Sequence, residues 1–166
     1  MSVKGEKTWK NTGHLKPEDV ELPPEERLED GPVAIVECPQ KIPCDPCSRR
    51  CPVGAIEMED INETPSVNFE KCTGCSTCVQ YCPGLAIFLL DCSSGEGCQV
   101  TLPYEFDLPA VGEEVLGLDR KGKAITTCQV KGRVTREESA GDTSTVTVKI
   151  PETYVNKVRN IRRKDV

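Results

Sequence analysis

Apolar residues are sparse at the start of this chain and then arrive in short bursts. Residues 1–30 are polar and Pro-containing, with no apolar period, which predicts an extended, partly disordered arm. The first burst, Val33-Ala-Ile-Val36, is continuous rather than alternating and predicts a short buried strand. Two more, Ala55-Ile-Glu-Met58 and Ala86-Ile-Phe-Leu-Leu90, each follow a Cys-Pro pair and also predict strands, while Asn62-Glu-Thr-Pro-Ser66 predicts a turn before Val67-Asn-Phe69. Short helices are expected to carry Cys51 and Cys82. Beyond Asp91 the texture becomes strand-like, with candidates over Gln99–Phe106, Glu114–Asp119, Ala124–Thr135 and Ser144–Ile150, and turns at Arg120–Lys123 and Ala140–Asp142. Pro151 closes the last of these. The fold class expected is therefore α+β: an acidic arm over 1–30, a compact unit over 31–91, a linker or first strand over 92–103, and a small antiparallel β unit over 104–151. That last unit is expected to be barrel-like or a closed, SH3-like sheet, followed by a basic tail over 152–166.

Composition narrows this picture. With 166 residues, 37% hydrophobic and only 4% aromatic, each unit can bury only a modest core. Leu85–Leu90 is the longest apolar patch, far short of the roughly 20 residues needed to span a bilayer, and no apolar signal core follows Met1; a soluble, cytoplasmic protein is expected. The formal charge of −6 disfavours non-specific nucleic-acid binding. Charge is uneven along the chain. Between Glu18 and Asp30 seven acids face one arginine, whereas Lys157, Arg159, Arg162, Arg163 and Lys164 make the tail basic; both ends are expected to be solvated.

The chemistry lies in the cysteines. Cys44-x2-Cys47-x3-Cys51-Pro52 and Cys75-x2-Cys78-x3-Cys82-Pro83 superpose at an offset of 31 residues, and Pro-x-x-Ala-Ile follows in both. Cys72 precedes the second copy by three residues; its counterpart is Lys41, and the nearest cysteine is Cys38. A 4Fe-4S cube needs four soft thiolates, and closely spaced cysteines on a tight loop supply three at little loop-closure cost. Structural zinc is the alternative for Cys-x2-Cys pairs, but it explains neither the third cysteine of each loop nor the doubled Cys-Pro. A disulfide scaffold has less support, since eleven cysteines is an odd number. Cys92, Cys98 and Cys128 are left over, and as a set of three they are expected to be small buried hydrophobes or free thiols. No catalytic constellation is visible: the single histidine, His14, sits in the arm, and no Gly-x-Gly-x-x-Gly occurs.

Residues 38–91 resemble the bacterial dicluster ferredoxin family in seven of eight ligand positions and both prolines. The resemblance implies a dicluster ferredoxin-like domain in which the cysteine before each proline serves the other cluster. Cluster 1 would then take Cys38, Cys44, Cys47 and Cys82, and cluster 2 would take Cys72, Cys75, Cys78 and Cys51. For Cys38, which reaches across a longer loop, the alternatives are a three-iron cluster or a ligand from Cys92 or Cys98. Over roughly residues 36–151, the segments Ile42-Pro-Cys-Asp-Pro-Cys47, Cys82-Pro-Gly-Leu-Ala-Ile-Phe88, Leu102-Pro-Tyr-Glu-Phe106, Gly112-Glu-Glu-Val115 and Leu118-Asp-Arg-Lys-Gly122 resemble iron-sulfur subunits of multi-subunit flavin-dependent dehydrogenases of the proline, hydroxyproline, amino-acid or glycerol-3-phosphate type. This implies an electron-relay subunit beside FAD-containing chains and a 2Fe-2S chain, with FAD or FMN on those partners. A free-standing two-cluster ferredoxin and a zinc-binding interaction module are the other readings.

Overall fold

In the computed structural model, residues 9–165 are described. After a one-turn helix α1 (Trp9–Thr12), a 3-10 turn (Pro17–Asp19) and helix α2 (Glu25–Glu29), the chain enters strand β1 (Val33–Val36). Helix α3 (Pro46–Arg49), the short strands β2 (Ile56–Glu57) and β3 (Ser66–Val67), and helix α4 (Thr77–Tyr81) follow. The rest is strand: β4 (Ile87–Asp91), β5 (Cys98–Pro103), β6 (Glu114–Leu118), β7 (Ala124–Val134), β8 (Thr145–Ile150) and β9 (Asn160–Arg163). Seven strands form one antiparallel sheet in the order β1-β4-β5-β8-β7-β6-β9, and β2 pairs only with β3.

β1 and β4 form a wall with a core on each side. Val33 and Ile35 of β1, with Phe88 and Leu90 of β4, face the main sheet core, whereas Ala34, Ile87 and Leu89 face a smaller core that contains Cys47 and Cys78. Side chains alternate across a strand, so a strand covered on both faces must be apolar at every position. This is why Val33–Val36 shows no alternation. Beyond the wall, Val100, Leu102, Val130, Val146 and Val148 fill the main core, and their strands alternate because one face meets solvent.

The chain departs from its sequence expectations in several places. The unit expected after residue 103 is not separate, since β5 pairs with β4 on one side and β8 on the other, and one sheet runs through both halves. It is not hydrogen-bonded into a barrel either: β1 and β9 are its edges. The basic tail is a strand, β9, paired with β6, and Val158 and Ile161 are in the core; one inward apolar residue among Asn160-Ile-Arg-Arg163 is too little to signal a strand. The arm is ordered over residues 9–30, where Val20, Leu22 and Leu28 pack on the main core; its first eight residues lie outside the described range. Finally, Cys92 and Cys98 are neither free thiols nor alternative ligands, because they form a disulfide across the β4–β5 turn. Cys128, by contrast, is a buried free thiol, and burial pushes its pKa up to about 11.

The two edges of the sheet are tied by side chains. Glu37, immediately after β1, accepts hydrogen bonds from Arg159 Nε at 2.6 Å and from Arg120 Nε and Nη2 at 2.9 and 2.6 Å. Arg159 and Arg120 also donate to Asn156 Oδ1. All three charged side chains are nearly inaccessible, at 4–8% exposure. Burial alone would raise the Glu37 carboxyl, but the Arg120 hydrogen bonds and the Arg159 charge outweigh it and hold the pKa below its ordinary value.

Candidate metal centre

Pro46 and Ser76 set how the cysteine loops enter their helices. Pro46 occupies the first turn of α3, where its missing N–H costs nothing, and Ser76 precedes α4 in the left-handed region, φ 68°. The helices carry Cys47 and Cys78, not Cys51 and Cys82 as expected; those two fall at or just beyond the helix ends. The cause is local: each helix stops after one turn, before the Cys-Pro pair, because the residue preceding proline is pushed out of the α region.

Two cavities lie on the β1–β4 wall. One is lined by Cys38, Cys44, Cys47 and Cys82 together with Val36, Ile42, Pro65 and Ile87. The other is lined by Cys51, Cys72, Cys75 and Cys78 together with Ala34, Val53, Ile56 and Leu89. Each cavity thus receives three cysteines from one loop and a single Cys-Pro cysteine from the other. Among the described residues, no three Cys, His, Asp or Glu side chains close on one point as a lone metal ion would require; the sulfurs border a volume instead. Cys92 and Cys98 line neither cavity.

The repeat seen in the sequence recurs in three dimensions. Ala55 N–H donates to Cys51 Sγ at 3.2 Å, and Ala86 N–H, 31 residues on, donates to Cys82 Sγ at 3.4 Å. A third backbone amide, Ala34 of the wall, donates to Cys72 Sγ at 3.4 Å. Burial and the neighbouring thiols push Cys47 up to about 11 and Cys78 up to about 12, and raise Cys38 and Cys44 as well. Burial acts the same way on Cys51, but the amides of residues 53–56 outweigh it and lower its pKa. For Cys38, Cys44, Cys47 and Cys78, burial and the charge of neighbouring sulfurs both oppose ionisation. A cationic group bound among them favours the thiolate form, and soft thiolates are the donors an iron-sulfur cube requires.

Three residues that the sequence reading passed over support these loops. Arg27, from the arm, hydrogen-bonds the Cys72 carbonyl. Gln80 of α4 accepts from Ala140 N–H through its side chain and from Thr143 N–H through its carbonyl, which latches the β7–β8 loop onto the second cysteine loop. Glu37, adjacent to Cys38, carries the edge tie described above. None belongs to a local pattern, and no spacing rule could have found them.

Residues 65–88 match the family model described as a 4Fe-4S binding domain, a stretch that contains Cys72, Cys75, Cys78 and Cys82. The central segment is therefore of the iron-sulfur ferredoxin type. The chain is 40% identical over 60 residues to the ferredoxin-type protein NapF of Haemophilus influenzae, covering 34% of each chain. It is 42% identical over 48 residues to a subunit of the ion-translocating oxidoreductase complex of Methanosarcina acetivorans, covering 29% of this chain and 17% of that one. Over 53 residues it is 38% identical to the polyferredoxin-like subunit of the aliphatic sulfonate oxidoreductase of Pyrococcus furiosus, covering 32% and 28%. The chain thus spans about a third or less of the length of these curated relatives. No solved structure matches.

Proposed function

We propose that this chain holds two 4Fe-4S clusters, the first on Cys38, Cys44, Cys47 and Cys82 and the second on Cys72, Cys75, Cys78 and Cys51, and passes single electrons between them as a subunit of an oxidoreductase complex. The observation that carries this reading is the pair of cavities, each bordered by four cysteines, three from one loop and one from the other. When bound, each cube takes up and releases one electron. The chain's own work is to hold and tune: thiolates bind iron, the Ala34, Ala55 and Ala86 amides stabilise charge on sulfur, and the β1–β4 wall keeps water from one side. The complex we favour is a flavin-dependent dehydrogenase of the amino-acid, imino-acid or glycerol-3-phosphate type. There the clusters would relay electrons from FAD on a partner chain to another flavin or acceptor, beside a 2Fe-2S chain.

Support for a hetero-oligomer comes from two relatives that are themselves named as subunits, and from the exposed apolar side chains of Phe106 and Val111. No helix among the described residues is long and apolar enough to cross a membrane. We place the chain in the cytoplasm, where thiols stay reduced.

Anaerobic purification with iron and sulfide analysis tests the reading. About eight irons per chain and brown absorption bleached by dithionite are expected. A colourless zinc protein would overturn it, about four irons would reduce it to one cluster, and a native species eluting as an 18.2 kDa monomer would favour the free-standing ferredoxin.

A further inference from the structure

Arg27 lies in the arm, far from the cysteines in sequence, yet its guanidinium is spent on the second cysteine loop. Nε donates to the Phe69 carbonyl at 2.8 Å, Nη1 to Gly31 at 3.0 Å, and Nη2 to Pro32 at 3.2 Å and Cys72 at 2.7 Å. The helix that presents it is anchored on either side, by Leu28 in the main core and by the Cys92 N–H, which donates to the Leu28 carbonyl at 2.8 Å. Asp30 and Glu70 border the same hollow. Even so, no carboxylate among the described residues comes within ion-pairing distance of Arg27: the cations that have such partners are others. Its planar fork therefore faces carbonyl oxygens only, and its charge lies next to the backbone of Cys72 without a carboxylate in contact.

We infer that Arg27 is a positioning residue that sets the reduction potential of the cluster on Cys72, Cys75, Cys78 and Cys51 without touching the other one. The inference rests on the two-cluster reading above. Adding an electron makes a cluster more negative, and a fixed positive charge beside one of its ligands favours that state, so Arg27 raises this potential. Arg120 and Arg159, held to Glu37 next to Cys38, line neither cavity.

The test is a redox titration of the anaerobic holoprotein, followed by electron paramagnetic resonance, with iron counted in every sample. The Arg27→Gln protein is expected to keep its iron and to titrate with one of two potentials lowered and the other unmoved. Arg27→Lys, which keeps charge but not the fork, is expected to stay closer to wild type. Full iron with both potentials unchanged in Arg27→Gln would overturn the inference. So would equal shifts in the Gln and Lys variants, or loss of iron in both, since either result assigns Arg27 a purely structural clamp. A wild-type protein without two reducible signals would instead sink the two-cluster reading.

Discussion

Gly54 and Leu85 occupy the same place in the two copies of the cysteine loop, and both have left-handed backbone, with φ of 62° and 52°. The turn after Cys-Pro demands that conformation whichever residue stands there, so the demand comes from the loop and not from glycine. Gly74 is different. It too is left-handed, φ 68°, but a Cβ there would run into the Pro32 carbonyl oxygen and ring, whereas one at Gly54 would meet open space. Gly54→Ala should therefore cost only the conformational strain, about 1 kcal/mol. Gly74→Ala should cost about 3 kcal/mol, since overpacking adds to the strain, and should release iron from the second site first. Denaturant titration of the holoprotein followed by cluster absorbance measures both; equal losses would contradict the Pro32 contact.

At the scale of elements, the sheet is held closed by what lies just outside its strands. Arg159 precedes β9 and meets Glu37 just past β1, and Arg120, just past β6, joins them. Arg159→Ala would leave a buried carboxylate with one guanidinium fewer and is expected to destabilise the fold by about 3 kcal/mol. Burial and the nearby Arg120 charge lower the Arg159 pKa to about 10, although Glu37 opposes them; Arg159 therefore stays charged at neutral pH. Its guanidinium also lies over the Phe88 ring, 5.3 Å from its centroid, so Lys in its place should recover only part of the loss. The Cys92–Cys98 bridge acts on one hairpin. Replacing both cysteines with serine should cost about 2 kcal/mol, from loop-closure entropy in the unfolded chain, with iron content unchanged because neither sulfur lines a cavity. Chemical unfolding beside an iron assay reads both; a drop in iron would mean that the bridge also holds the second loop.

For the molecule as a whole, two cores share one wall, and they depend differently on iron. The main core is built from β-strand side chains such as Val100, Val130 and Val148, while five of the thirteen residues of the smaller one are cysteines. Removing iron should therefore unprotect amides in residues 44–82, leave those of β5, β7 and β8 protected in hydrogen exchange, and give an intermediate response in β1 and β4. Uniform loss of protection would show a single cooperative unit. The cysteine spacings announced the iron-sulfur chemistry, continuous apolar bursts located β1 and β4, and the alternation of apolar residues located β5 to β8. These signals were legible because they are local: a ligand loop must close over a few residues, and a half-buried strand must alternate. Nothing local marks Arg27 as the partner of Cys72, Glu37 as the partner of Arg159, or residues 160–163 as a strand. Each of these depends on a neighbour brought in by the fold, across 45 residues for Arg27 and 122 for Arg159. A single polar or cysteine residue carries no periodicity, so its meaning came only with the surface folded against it. By itself the sequence determined which chemistry the chain supports; the tertiary structure alone decided which sulfurs border which cavity, and which distant charges stand beside them.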